Sequence, residues 1–335
     1  MTIEDTPQLP PPSPTQRLIR LLGTEKKDIG YIYLYALVTG LISLSLPLGI
    51  QAVFNLVAGG LVFSSVYVLI GIVVLGVLGT GLLLVGQMTL VEIVQQRIFA
   101  KAAFEFTYRL PRIQPKALSA YDAPELMNRF FDVMTIQKGL PKLLIDLTGA
   151  AVQILFGIIL LSFYHPVFLG FGLFTMLAIV GISWYYGPRG LRTSLSESKY
   201  KYKLVAWLED FARDLPMHRL QGDVLEPIDH TDELVASYLF HRNEHFRVLK
   251  RFFYSAVAFK ILVTGGLLIL GTALVVGREM TLGQFVAAEL VIVLITSSVE
   301  KLISGIDTVF DMLTAVEKIA NVTDLPLETG TASHA

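Results

Sequence analysis

The sequence predicts an all-α membrane protein in which six transmembrane helices continue into long helical extensions on one side of the bilayer. Three observations point there. Of 335 residues, 53% are hydrophobic and 16% charged, against roughly 25% charged in an ordinary soluble domain. Residues 29–91 and 147–188 contain no Asp, Glu, Lys or Arg, and about 20 apolar residues suffice to cross the hydrocarbon core. A third apolar block, 261–299, is interrupted by Arg278 and Glu279 in a short turn and by Glu289. The formal net charge of −1 carries no sign of a nucleic-acid binder. With no cysteine, disulfides and Cys-ligated metals are excluded.

Taken in order, residues 1–14 are Pro-rich, carry Glu4 and Asp5 in place of a basic leader, and read as a disordered arm. Residues 15–28 read as an elbow helix, with Leu18, Ile19, Leu21 and Leu22 set against Arg17 and Arg20. That pattern suits a segment lying in the membrane interface with its bases near anionic lipid. Spans are expected near 29–56, 62–89, 142–163, 167–186, 253–276 and 281–301. Their outer connections are short: the Ala58-Gly59-Gly60 region, Tyr164-His165-Pro166, and 277–280. The connections on the other side are long, and their stretches 92–107, 191–215 and 232–251 contain neither Gly nor Pro. Such stretches favour helix, so the spans are expected to continue as stalks that pack through Phe104, Phe106, Leu204 and Trp207.

The basic residues orient the chain. Four precede the first span, seven lie in the first long connection and eleven in the second, whereas Arg278 alone lies clearly on the short-loop side. The Lys and Arg excess marks the cytoplasm. A multi-pass protein with both termini and both long connections cytoplasmic is the expected arrangement.

At the far end of the first stalk pair stands Tyr121-Asp122-Ala123-Pro124-Glu125-Leu126-Met127-Asn128-Arg129-Phe130-Phe131. Asp122 and Glu125 have capping-box spacing and Pro124 suits a first helical turn, so a short helix is expected to begin there. Leu126, Met127, Phe130 and Phe131 would give it an apolar surface. In the second connection, Trp207 and Phe211 are i,i+4 neighbours flanking Glu209, and Pro216 must end or kink the helix.

His241-Arg242-Asn243-Glu244-His245 matches the H-x-x-E-H spacing of a class of zinc peptidases. A catalytic zinc needs a third protein ligand and a cleft, and the sequence supplies neither. The surrounding Arg242, Arg247, Lys250 and Arg251 read better as a solvated stalk near the lipid surface. No Gly-Lys pair occurs anywhere, so the phosphate loop of an ATPase cannot be built from this chain. No catalytic, metal-binding or cofactor-binding residue is assigned. Polar residues within the spans are few: Gln51, Asn55, Gln87, Gln153, Lys260, Gln284 and Glu289. Intramembrane charge is costly and points to a cavity or a pairing role. Glu289 is the best single candidate for lining a pathway, with Gln51, Asn55 and Gln284 beside it, while interhelical hydrogen bonding is the simpler role for Gln51 and Asn55.

Six spans in three hairpins, short outer turns and two cytoplasmic stalk pairs resemble the membrane domain of an ABC exporter of the type I exporter fold. Gly271-Thr272-Ala273-Leu274-Val275-Val276-Gly277-Arg278-Glu279-Met280-Thr281-Leu282-Gly283-Gln284-Phe285-Val286-Ala287 is similar to that family's turn between its fifth and sixth spans. Ala315-Val316-Glu317-Lys318-Ile319 through Asp324-Leu325-Pro326-Leu327-Glu328 resembles the run into its ATPase linker. Leu46-Pro47-Leu48-Gly49-Ile50-Gln51-Ala52-Val53-Phe54-Asn55 is similar to the end of the first span in haemolysin-type secretion exporters. Trp207-Leu208-Glu209 and the stretch 121–131 resemble the two coupling-helix regions.

The resemblance, which covers about residues 15–328, implies a transmembrane domain over 29–315 and a C-terminal linker or tail over 316–335. It implies an ATP-driven export subunit that dimerises with itself or a similar chain. Asp122, Glu125, Leu126, Phe130, Phe131, Trp207, Glu209 and Phe211 would transmit the motion of an ABC ATPase. ATP and Mg would be bound by that partner, in a bacterial plasma membrane, with a periplasmic adaptor as a further partner. The family usually continues into a nucleotide-binding domain, whereas this sequence stops at Ala335, so the ATPase is either a separate polypeptide or a missing part. An ion-gradient-driven transporter or channel is the alternative, and it predicts a chain of ionisable groups at mid-bilayer.

Overall fold

The computed structural model describes residues 12–60, 64–118, 123–214 and 225–328, with the backbone alone for 123–125. The reading of residues 1–11 as a disordered arm therefore concerns a segment outside the described residues. Among the described residues there is no β-strand, and an isolated bridge joins Ile113 to Leu327. Six helical stretches are long and apolar enough to cross a membrane.

Helix α1, Pro14–Gly23, opens with a reciprocal cap: Gln16 N–H donates to Ser13 Oγ at 3.3 Å and Ser13 N–H to Gln16 Oε1 at 2.9 Å. Leu18 is buried, whereas Ile19, expected on the same apolar face, is exposed. Arg17 does not reach outward to lipid. Its guanidinium pairs with Glu317, at 3.3 Å, and with Asp324, fastening α1 to the C-terminal end of the last helix.

The first span is two helices, α2 (Lys26–Ser43) and α3 (Ser45–Ala58), not the single helix expected from the unbroken apolar run. Pro47 has no N–H for the Ser43 carbonyl and its ring crowds that turn, so the helix breaks at Leu44. Just before the span, the buried Glu25 receives Lys101 and Arg97, and Arg97 also reaches Asp28. The hydrogen bond from Lys101, reinforced by Arg97, holds the Glu25 carboxyl below its ordinary 4.5 against the opposing effect of burial. A depressed folded-state pKa contributes stability above the unfolded value and loses it as pH falls through the folded one. Thermal unfolding of purified protein is thus expected to become easier on acidification below about pH 4.5, and Glu25→Gln should lose less over the same range than wild type.

Helix α4 runs unbroken over Ser64–Arg109. After the short α5 (Pro115–Leu118) and α6 (Ala123–Asn128), α7 (Phe131–Pro141) passes through a π-helical turn, Lys142–Leu147, into α8 (Thr148–Tyr164). The helix that carries the third span thus starts well before 142. The π turn lies where Pro141 removes a donor, and its wider ring absorbs the mismatch without a break. Helices α9 (Val167–Arg213), α10 (Leu225–Val276) and α11 (Leu282–Thr323) complete the fold. With 46, 47, 52 and 42 residues, α4, α9, α10 and α11 are roughly 63 to 78 Å long, about twice the ~30 Å hydrocarbon thickness. Each is therefore both span and stalk.

The centre of the molecule is α11, which packs against α3, α7, α8, α9 and α10. Half of its apolar window is buried, whereas none of the window of α4 is, although α4 has the highest mean hydropathy, 2.8. The face of α4 is thus left for lipid or another chain. Helix α11 approaches α8 closely at Gly157, where an added Cβ would lie 2.8 Å from Ile295 Cγ1. Small residues at such crossings let backbones meet where no hydrophobic drive separates helix from lipid.

Candidate functional site

The stalk tip formed by α6 and the start of α7 divides the predicted apolar patch between two sides. Leu126 is 1% exposed and packs with Phe106, Ile113 and Val322. Phe130 faces the same way, its ring edge-to-face with Phe99 at 5.3 Å and Phe106 at 5.5 Å. Met127 and Phe131 face outward, Phe131 at 64% exposure. The reason is local: α6 ends at Asn128, the chain turns at Arg129 and Phe130, and α7 starts in a new direction. Leu126, buried, and Phe130, half-buried, therefore anchor the tip. Asp122 lies outside the described residues, as does the side chain of Glu125. Along the stalk above, Phe106 packs as expected, but Phe104 is 77% exposed.

The second tip meets the first through Asn128, whose side-chain amide donates to Glu209. The Trp207 indole N–H donates to Thr231 Oγ1 at 2.9 Å, and its ring lies 4.5 Å from His230 and 6.1 Å from Phe211. Trp207 thus joins α9 to the start of α10, with Phe211 beside it on α9 and Leu208 exposed. Pro216, expected to end or kink the helix, lies outside the described residues.

Behind the tips sits a cluster that sequence reading missed. Asp132 of α7 is buried, and the Tyr202 hydroxyl of α9 donates to it. The Arg129 guanidinium covers the Tyr202 ring at 3.9 Å, with Lys318 of α11 at 5.3 Å. Burial pushes the Asp132 carboxyl up against the pull of Tyr202 and of Lys201 and Arg129. Burial and the Asp132 charge push the Tyr202 hydroxyl up as well. The three-residue spacing of Arg129 and Asp132 was the available signal, but nothing local marks Tyr202, seventy residues away, as their partner.

Within the membrane, Gln51 accepts a hydrogen bond from Tyr164 Oη at 2.8 Å. Gln87 donates to the Ile32 carbonyl at 3.1 Å, and Gln153 accepts from Ser298 at 3.2 Å. Lys260 pairs with Glu300 at 2.7 Å. Gln284 is a capping residue: its Oε1 accepts from Thr281 N–H at 2.8 Å and its own N–H donates to Thr281 Oγ1 at 3.1 Å. The rule that places Ser or Thr three residues before Gln at a helix start explains Gln284 without a pathway role. Asn55 lies against Gly283 at the same outer end. Glu289 is half-buried on α11 and has no hydrogen bond or ion pair among the described residues.

Residues 29–211, more than half of the chain, match the family model for the ABC transporter transmembrane region. The chain belongs to that family. No curated protein sequence matches it. The matched range takes in the first four spans and both sides of the first stalk tip, while α10 and α11 continue beyond it. An ABC transporter membrane region is the part that crosses the bilayer and is not itself the ATPase.

In this ABC transporter membrane subunit the H-x-x-E-H residues serve stalk packing. His241 Nδ1 lies 3.1 Å from Ser196 Oγ, with its ring stacked on Tyr200 at 4.0 Å. His245 Nδ1 lies 2.8 Å from Thr193 Oγ1 and its Nε2 3.2 Å from Asp307. Both imidazoles meet hydroxyls of α9 separately, and among the described residues no group of three His, Asp or Glu is placed to hold a metal. At the end of the bundle where the short turns lie, His165 Nε2 lies 3.1 Å from Glu279, joining the second and third of those turns.

Proposed function

We propose that this chain is the transmembrane subunit of an ATP-driven exporter, pairing with a second copy or a similar chain to enclose the substrate pathway. The observation that carries the reading is the tied pair of stalk tips, held by Asn128 and Glu209 at the ends of helices about twice as long as the bilayer is thick. A rigid helix spanning both zones moves as one lever, so displacement at the tip reaches the membrane. Phe131, Met127 and Leu208 offer exposed apolar side chains at those tips to an ABC ATPase, which would bind ATP and Mg. The lipid-exposed face of α4 leaves room for the second membrane subunit. Among pathway candidates, Glu289 and Asn55 keep that role, while Gln51 and Gln284 are occupied by Tyr164 and Thr281.

Short outer turns and the cytoplasmic excess of Lys and Arg support a multi-pass protein of the bacterial inner membrane with both termini inside. A periplasmic adaptor is a further partner in this reading. The decisive experiment is isolation of the tagged chain from its native membrane. An ABC ATPase is expected to copurify, and ATP-dependent flux should follow reconstitution into vesicles. Flux driven by an ion gradient with no nucleotide requirement would replace this reading with a gradient-driven transporter.

A further inference from the structure

His245 is 1% exposed and sits where three long stalk helices cross. It belongs to α10, its Nδ1 meets Thr193 of α9, and its Nε2 meets Asp307 of α11. Phe310 closes the site, its ring centroid 6.1 Å from that of the imidazole. Thr193 Oγ1 also lies 3.0 Å from the carbonyls of Arg189 and Gly190. If its proton goes to either carbonyl, the hydroxyl oxygen is left to accept. A doubly protonated ring then donates to both neighbours, to the hydroxyl from Nδ1 and to the carboxylate from Nε2.

The charges facing this ring are unequal. Asp307 and Asp311 lie one turn apart on α11, where like charges repel. On α9, Glu197 is paired with Arg242 of α10 at 3.0 Å, and Lys201 lies against the Tyr202 ring. On α10, Glu244 lies 3.5 Å from His241. On α7, Asp132 is held by Tyr202. Asp132, Glu197, Lys201, Arg242 and Asp311 all line one polar cavity of about 310 Å³ that α7, α9, α10 and α11 share. Neither Asp307 nor Asp311 has an ion pair with Lys or Arg among the described residues, and the basic group that Asp307 meets directly is the His245 imidazole, at 3.2 Å.

We propose that His245 is a proton-operated clasp: protonated, it fastens α10 to α9 and α11, and on losing its proton it lets α11 loosen from the other two. His245 is thus a positioning residue for stalk movement. Its consequence for transport, that coupling weakens as cytoplasmic pH rises, rests on the exporter reading above, whereas the clasp itself does not. Imidazole suits the task because its charge ordinarily changes between about pH 5 and 8. Asp311 acts in the same direction. Although its side chain reaches water at the cavity mouth, the packing around its carboxyl and the neighbouring Asp307 push it up to about 6 from 3.8. A raised folded-state pKa contributes stability at low pH that is lost as pH rises through the folded value.

Amide hydrogen exchange of the full chain in lipid nanodiscs tests the clasp, read at about pH 6 and about pH 8 and corrected for intrinsic exchange. Protection over 240–252 and 303–316 is expected to fall about tenfold at the higher pH in wild type, a local opening of α10 and α11. His245→Gln keeps the polar shape without a titrating charge and should abolish that dependence while leaving 29–91 unchanged. Should His245→Gln fail to fold, Asp307→Asn, which removes the facing charge, is expected to flatten the same dependence. Equal wild-type protection at both pH values, or an undiminished shift in the variant that folds, overturns the proposal. The exchange result stands apart from ATP hydrolysis: a pH-dependent clasp in a chain that never associates with an ATPase would uphold the clasp and overturn the exporter reading.

Discussion

Phe131→Asp is expected to separate ATP hydrolysis from transport while leaving the six membrane helices folded. Phe131 is 64% exposed at the first stalk tip, so a carboxylate there meets water in the free subunit and costs the fold little. Against an apolar pocket of a docked ATPase the same carboxylate would be desolvated and unpaired. Losing a central aromatic anchor of an interface costs about 2 kcal/mol or more, roughly a thirtyfold weakening. Copurified ATPase should fall by that factor, and substrate stimulation of hydrolysis should disappear. Phe130→Asp is the contrasting variant. Its ring packs on Phe99 and Phe106, so the charge would enter the stalk core and lower thermal stability directly. Full substrate-stimulated ATPase activity in the Phe131 variant would remove the tip from the coupling route.

Gly190→Ala is expected to destabilise the protein more than any surface change. Gly190 of α9 lies against the Phe310 ring of α11, and an added Cβ would overlap the ring edge and stand 3.1 Å from Cδ2. Phe310 is 3% exposed and is also held against Phe252, with ring centroids 6.2 Å apart, so it has little room to retreat. Overpacking of this kind costs about 1–3 kcal/mol, visible as a lower unfolding midpoint in detergent. Phe310→Leu in the same chain should restore part of the loss, because the two changes share one volume. An unchanged midpoint for Gly190→Ala would mean that α9 and α11 do not cross as closely as described.

The stalk tip shows how far linear reasoning reaches. Leu126, Met127, Phe130 and Phe131 read as one apolar surface because their types and proximity are all a sequence displays. Which side each takes depends on the turn at Arg129 and on what Phe106 and Val322 leave uncovered, and those residues come from α4 and α11. Arg17 was similarly legible as a base on an amphipathic helix but not as the partner of Glu317 and Asp324, three hundred residues away. Gln284 is the opposite case. Thr281 and Gln284 carry the capping spacing in plain view, and giving weight to that local rule would have assigned the residue correctly.

Composition and charge-free length by themselves determined the membrane class, the helical stalks and the number of apolar helices, because burying backbone in lipid leaves a helix as the solution for such runs. Tertiary structure alone decided the Arg129–Tyr202–Asp132 cluster and the seat of His245 between Thr193 and Asp307. Each depends on side chains from separate helices meeting at a few ångströms. Hydrophobic periodicity encodes how much of a helix is buried, but not which neighbour buries it.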